Sequence, residues 1–218
     1  MFSEITDRLI QASSTGELGD EILQAREEYF SGVKDINSEE SFYDERMNAF
    51  LEWYCIERPV GKTGKTPLAI FLANMEKSIG TNEKLFLEAL GLSIHSTFRL
   101  KRISEKTATL IDLFTNAVHE TTDTGNSKNI GMNVVFEARL IPYNGSNVYG
   151  RTFLVHPREA KGAILQEIRR AKKERRLDAA AFMQHLSTLW IRQARYKGVI
   201  TGVIYSKEEL SKPNTSIL

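Results

Sequence analysis

The sequence predicts an α+β protein: an N-terminal helical region, a central small antiparallel β-barrel or sheet, and a C-terminal helical hairpin. Three observations carry that prediction. Apolar residues recur at helical spacing through the first part of the chain. From Ile94 the sequence turns rich in Thr, Ile, Val and Phe and contains Asn144-Gly145, a strong hairpin signal. After Pro157 helical spacing returns, now with dense Lys and Arg. The expected boundaries are 1–92 for the helical region, 93–156 for the β region, 157–206 for the hairpin and 207–218 for a flexible tail.

The elements follow in order. Phe2, Ile5, Leu9 and Ile10 stand at helical spacing. Ser14-Thr15-Gly16-Glu17 has the form of a capping box, so a second helix is expected to about Phe30. Asn37 or Ser38 is the expected cap of a third, which carries Phe42, Met47, Phe50, Leu51, Tyr54 and Cys55 inward and stops before Pro59. Thr66-Pro67 reads as N-cap and first turn of a fourth, to about Lys77, and Thr81 caps a fifth, to about Leu90. Strands are expected over 96–103, 107–114, 116–121, 132–142 and 148–155. Ala160, Ile164, Ile168 and Ala171 then mark one helix stripe, and a last helix runs from near Asp178 to about Lys197. The β-like run Val199–Tyr205 is compatible with an added edge strand.

Composition excludes whole classes. At 41% hydrophobic residues the chain can bury a core, unlike a disordered one. No apolar run approaches the roughly 18–20 residues of a membrane helix. One cysteine cannot form an internal disulfide, and residues 1–12 lack the basic start and apolar stretch of a secretory signal. A cytoplasmic protein is the expectation.

The net charge of +1 conceals an asymmetry: residues 1–58 carry −9, residues 59–156 carry +3 and residues 157–198 carry +7. The basic end concentrates in Arg169, Arg170, Lys172, Lys173 and Arg176. On a continuous helix Arg169, Lys172, Lys173 and Arg176 would share an arc of about 100°. That face suits an acidic protein surface, including a second copy of this chain. Nucleic acid is the alternative partner, contacted through phosphates, since Phe182 and Trp190 fall on apolar positions and read as core.

Three patterns bear on catalysis or ligand binding. Gly61-Lys62-Thr63-Gly64-Lys65-Thr66 ends like a P-loop, but Pro59 stands where that loop needs its first glycine and no buried strand precedes it. A basic interhelical loop is expected there. Arg99 and Arg102, followed by Gly125–Gly131, approximate the cyclic-dinucleotide motif of PilZ-type barrels, with each half off by one residue. The four histidines (His95, His119, His156 and His185) show no metal-ligand spacing, and Cys55 sits in an apolar helix. No catalytic residue, metal or cofactor is therefore expected.

The segments Phe50–Tyr54 with Arg58-Pro59, Gly64–Leu68, Leu110–Thr115 and Ala138–Pro142 together resemble a pattern of uncharacterised bacterial proteins that join a helical segment to a small β region. The resemblance spans about residues 44–160. It implies a bacterial, cytoplasmic origin and brings no activity with it. The expected function is a non-enzymatic adaptor or regulatory protein that binds a macromolecule through charged helical faces.

Overall fold

The computed structural model describes residues 2–16, 18–33, 36–61, 64–75, 79–122, 125, 128 and 130–212. The chain divides into two compact units: residues 1–93 with 141–145, and residues 94–140 with 146–218. The architecture is α+β, as the patterning predicts.

The first unit is built on helices α1 (Phe2–Ser13), α2 (Leu18–Tyr29), α3 (Tyr43–Ile56), α4 (Pro67–Met75) and α5 (Thr81–Gly91). Leu9, Ala25, Phe50, Tyr54, Leu68, Phe86, Leu87 and Leu90 are buried in its core. Aromatic packing ties α2 to α3: Tyr29 lies 5.6 Å from Phe50 and 5.1 Å from Trp53 between ring centroids. The Tyr54 hydroxyl donates to the Ser13 carbonyl (3.1 Å) and the Leu18 carbonyl (3.2 Å), pinning the α1–α2 connection.

Local signals were partly re-used. Thr66 caps α4, its hydroxyl accepting from the Ala69 N–H. Asn37 does not start α3. Its side chain accepts from the Glu39 N–H and its own N–H donates to Glu40, which closes a separate turn, and α3 begins at Tyr43. Ser14 donates to the Ile10 carbonyl and so finishes α1 instead of starting α2; Glu17, the other half of the expected capping box, lies outside the described residues.

The second unit opens with strands β1 (Ile94–Ile103), β2 (Ala108–Asp112) and β3 (Val118–Thr121), continued by β4 (Val135–Tyr143) and β5 (Ser146–Val155). Asn144 and Gly145 both hold positive φ (51° and 76°), as a two-residue hairpin turn between β4 and β5 requires. The strands follow one another in a ring, β1-β2-β3-β5-β4. The expected antiparallel pairing holds for β1–β2, β1–β4 and β2–β3, and one contact departs from it. β4 pairs with β1, so β3 is left to meet β5, and these two run parallel through the register pair Thr121–Asn147. The Asn147 amide donates to the Glu120 carbonyl at that seam. The result is a mixed, curled five-stranded sheet whose ring is laced by a brief parallel contact, not by full ladders all round. Phe98, Leu100, Ala108, Leu110, Phe136, Ala138 and Leu140 fill its inside.

A 3-10 turn (Arg158–Ala160) leads to α6 (Lys161–Lys173), α7 (Ala179–Arg195), α8 (Thr201–Ile204) and α9 (Lys207–Leu210). Asp178 caps α7 by accepting from the Ala181 N–H (3.0 Å). Ile164, Ile168, Phe182, Leu186, Leu189, Ile204, Tyr205 and Leu210 pack with Leu113 and Val135 in a second core. Two C-terminal expectations are corrected. Val199–Tyr205 adds no strand; its second half forms α8. Ile204 and Tyr205 are buried in the second core from that helix and the turn after it. Residues 207–210 form a helix capped by Ser206, which buries Leu210, and the part of the expected tail beyond Lys212 lies outside the described residues.

Candidate functional site

The basic cluster is assembled on α6 and the turn that ends it. Ile164, Ile168 and Ala171 face the core, and Glu167 sits on the same stripe with 3% exposure. A buried carboxylate demands cations, and two converge on it. Arg170, one turn along, reaches it at 2.7 Å. Arg176 reaches it from beyond the helix end. Burial pushes the Glu167 pKa up, but hydrogen bonds and charge from both arginines outweigh burial and hold it below the usual carboxylate value. Hydrogen bonds to Glu167 and Glu174 push Arg176 up in turn.

The geometry of the turn explains how Arg176 gets there. The Arg175 N–H donates to the Lys172 carbonyl, the Arg176 N–H donates to the Ala171 carbonyl, and Arg175 is left-handed (φ 53°). This is the Schellman closure, with arginine in the position glycine usually takes. It folds the chain back over the last turn of α6. A helical wheel therefore misplaces Arg176, because α6 stops at Lys173. Lys172 also turns inward. Its ammonium donates to the Leu113 carbonyl (2.8 Å) and towards the Asn116 side chain (3.5 Å), holding the loop after β2.

Of the five cations expected to form one docking face, Arg170, Lys172 and Arg176 are thus engaged within the unit. Arg169 and Lys173 remain. They stand four residues apart, both exposed, and no ion pair joins either to a carboxylate among the described residues. Beside them is a recess of about 590 Å³ lined by Ala163, Gln166, Arg169, Lys173, Gly202 and Lys207, among others. Arg192, in the last turn of α7, binds Glu209 at 2.6 Å. Glu209 also takes Lys212, and these two hydrogen bonds hold its pKa below the usual value.

The second candidate pair, Arg99 and Arg102, gains something the spacing did not show. Arg99 opposes Ile111 and Arg102 opposes Thr109, so Lys101 is a bulge residue. Phe98, Leu100 and Ile103 pack inside the sheet, which puts Arg99 and Arg102 on its outer face together. Arg99 donates to the Asn133 side chain (3.2 Å) and Arg102 is exposed. Of the following turn, Asn126, Ser127 and Asn129 lie outside the described residues. Gly131 has a local reason of its own: at φ 74° the Arg158 guanidinium packs so closely that an added Cβ would fall 2.5 Å from Nη2.

The loop with the P-loop-like ending is not a phosphate cradle. Val60 and Lys65 form an antiparallel bridge, and the Gly61 N–H donates to the Glu21 carboxylate (3.0 Å). A carboxylate therefore stands where a phosphate would need donors; Lys62 and Thr63 lie outside the described residues. Asp112, at the end of β2, accepts from the Phe114 and Thr115 N–H groups in a turn.

The histidines stand apart from one another. His95 donates to Glu137 (2.9 Å), His156 pairs with the Tyr205 hydroxyl (3.1 Å), His185 donates to the Glu209 carbonyl (2.7 Å), and His119 meets the Phe98 ring edge-on. Among the described residues, no three His, Cys, Asp or Glu side chains gather as metal ligands, and no helix is long and apolar enough to cross a membrane. One cluster escaped sequence reasoning. Glu137, 1% exposed, takes His95 on one oxygen and the Ser187 hydroxyl (2.7 Å) on the other, which joins α7 to the sheet. Alternation along β4 was a usable sign, because Glu137 and Arg139 sit between core residues there.

Compared with known proteins, residues 10–186 match the model of a family of unknown function, DUF7986. No curated protein and no solved structure matches.

Proposed function

The chain belongs to that family, which carries no assigned activity, and from its own residues we propose a non-enzymatic adaptor or regulatory protein that docks an acidic macromolecular surface through Arg169 and Lys173. One observation carries the reading. Arg170, Lys172 and Arg176 are matched to carboxylates or a carbonyl, while Arg169 and Lys173 are exposed, four residues apart on α6 and without an ion pair among the described residues. Charge left over on a rigid helix is positioned to steer and select an oppositely charged partner. An acidic protein surface suits it better than a nucleic-acid backbone. Two or three free cations neutralise few phosphates, so binding to a polyanionic strand would be weak and its salt dependence shallow.

The test is affinity capture from the native host with the wild-type chain and with Arg169→Glu/Lys173→Glu. The expected outcome is a discrete acidic partner retained by the wild type and lost by the reversal. A partner captured equally by both, or none captured by a monomeric wild type, overturns the reading.

A further inference from the structure

The recess beside α6 has features that a flat docking face does not need. It is concave, and at about 590 Å³ it has the size of a small-molecule site. Cations reach it from two directions: Arg169 and Lys173 from α6, and Lys207 from the start of α9. None of the three is ion-paired among the described residues. Arg170 also lines it. The one carboxylate in its wall, Glu167, is already matched by Arg170 and Arg176. The wall is therefore net positive. Ser206 and Gln166 add neutral polar groups, and Ala163 and Gly202 keep the walls small. Gly202 is open: an added Cβ there meets nothing within 4 Å.

We propose that this recess binds a small phosphorylated molecule, with Arg169, Lys173 and Lys207 as its phosphate ligands. A phosphate dianion offers several acceptor oxygens to donors that arrive from opposite sides. A guanidinium fork with two mobile ammonium groups matches that demand better than it matches a single carboxylate. The ligand shares Arg169 and Lys173 with the docking face, so it competes with an acidic partner; this competition rests on the docking reading, whereas the phosphate site does not.

Calorimetry and thermal melting of the full chain test the site. The probes are inorganic pyrophosphate, a sugar bisphosphate and adenosine triphosphate, which separate phosphate recognition from sugar or base recognition. Pyrophosphate is expected to bind and raise the melting temperature. Arg169→Ala and Lys207→Ala should each weaken it about tenfold. Gly202→Met, which fills the recess without altering its charge, should abolish binding, while Gly198→Met, equally open but outside the recess, should not. Polyglutamate serves as the acidic-surface probe: the docking reading expects it to bind wild type and Gly202→Met alike and to be displaced from wild type by pyrophosphate. Failure of polyglutamate to bind defeats the docking reading and leaves the phosphate site standing. Absence of heat and of a melting shift with all three phosphate probes at millimolar concentration overturns the site. So does binding that survives Gly202→Met unchanged, because the cations would then be acting as an open charged surface.

Discussion

Glu167 shows how a single side chain decides what its neighbours can do. Its carboxylate is buried on the core-facing stripe of α6, and it ties the Arg170 and Arg176 guanidiniums to the unit. The native pKa is depressed, so its contribution is fully present above the unfolded-state value near 4.5 and fades as pH falls through the native one. Acid should therefore loosen the second unit below about pH 4.5. Glu167→Gln should remove that part of the pH dependence and cost on the order of 1–3 kcal/mol, less than a fully buried pair because both arginines keep solvent contact. Urea melts of both proteins at neutral and acidic pH check this; equal pH profiles would show that Glu167 contributes nothing. Arg46 is the contrasting case. At 1% exposure it lies over the Tyr29 ring (5.2 Å) and the Phe30 ring (5.8 Å), and among the described residues no ion pair joins it to a carboxylate, so aromatic faces supply its electrostatic contact.

At the scale of elements, ends matter more than middles. The periodicity of α6 identified its buried stripe correctly, yet where α6 ends determines which cations share a face. Arg175 holds the left-handed position of the closing turn without glycine's freedom. Arg175→Gly should therefore stabilise the protein by about 0.5–1 kcal/mol, read as a higher urea midpoint with an unchanged slope. A lower midpoint would mean that the Arg175 side chain makes a stabilising contact of its own. The bulge in β1 acts in the same way. In a regular strand alternation would put Lys101 outward and Arg102 inward; the bulge at Lys101 lets Arg99 and Arg102 share the outer face. Neither the closing turn nor the bulge has a residue signature here, because arginine marks the one and lysine the other, where glycine would have been the usual sign.

Over the whole molecule the charge is partitioned, with −9 in residues 1–58 and +7 in residues 157–198. Part of each block is consumed locally. Arg58 takes Glu28 (2.7 Å) and Glu21 (3.1 Å), as Glu167 takes its arginines. What remains is still of opposite sign at the two ends, so copies of the chain should attract one another at low ionic strength. Sedimentation at about 20 mM salt should show concentration-dependent association that disappears near 0.3 M, where the Debye length is shorter than the spacing of most surface charges. Association that persists at high salt would point to apolar contacts instead, for which Tyr196, Ile200 and Val203 are the exposed candidates.

Hydrophobic spacing and turn chemistry by themselves determined the helical first part, the β-rich middle with its Asn144-Gly145 hairpin, the two basic C-terminal helices and the Thr66 cap. Each of these depends on residues a few positions apart, where local sterics and one face's burial settle the outcome. Only the tertiary structure decided that β3 runs parallel to β5, that Val199–Tyr205 is not a strand, and which of the five cations are engaged by carboxylates or carbonyls. Those outcomes turn on which strands and helices come to lie side by side and which carboxylate lies within reach of a given guanidinium. Both are set by pairs of residues far apart in sequence or across a chain reversal, where spacing along the chain carries no information about distance in space.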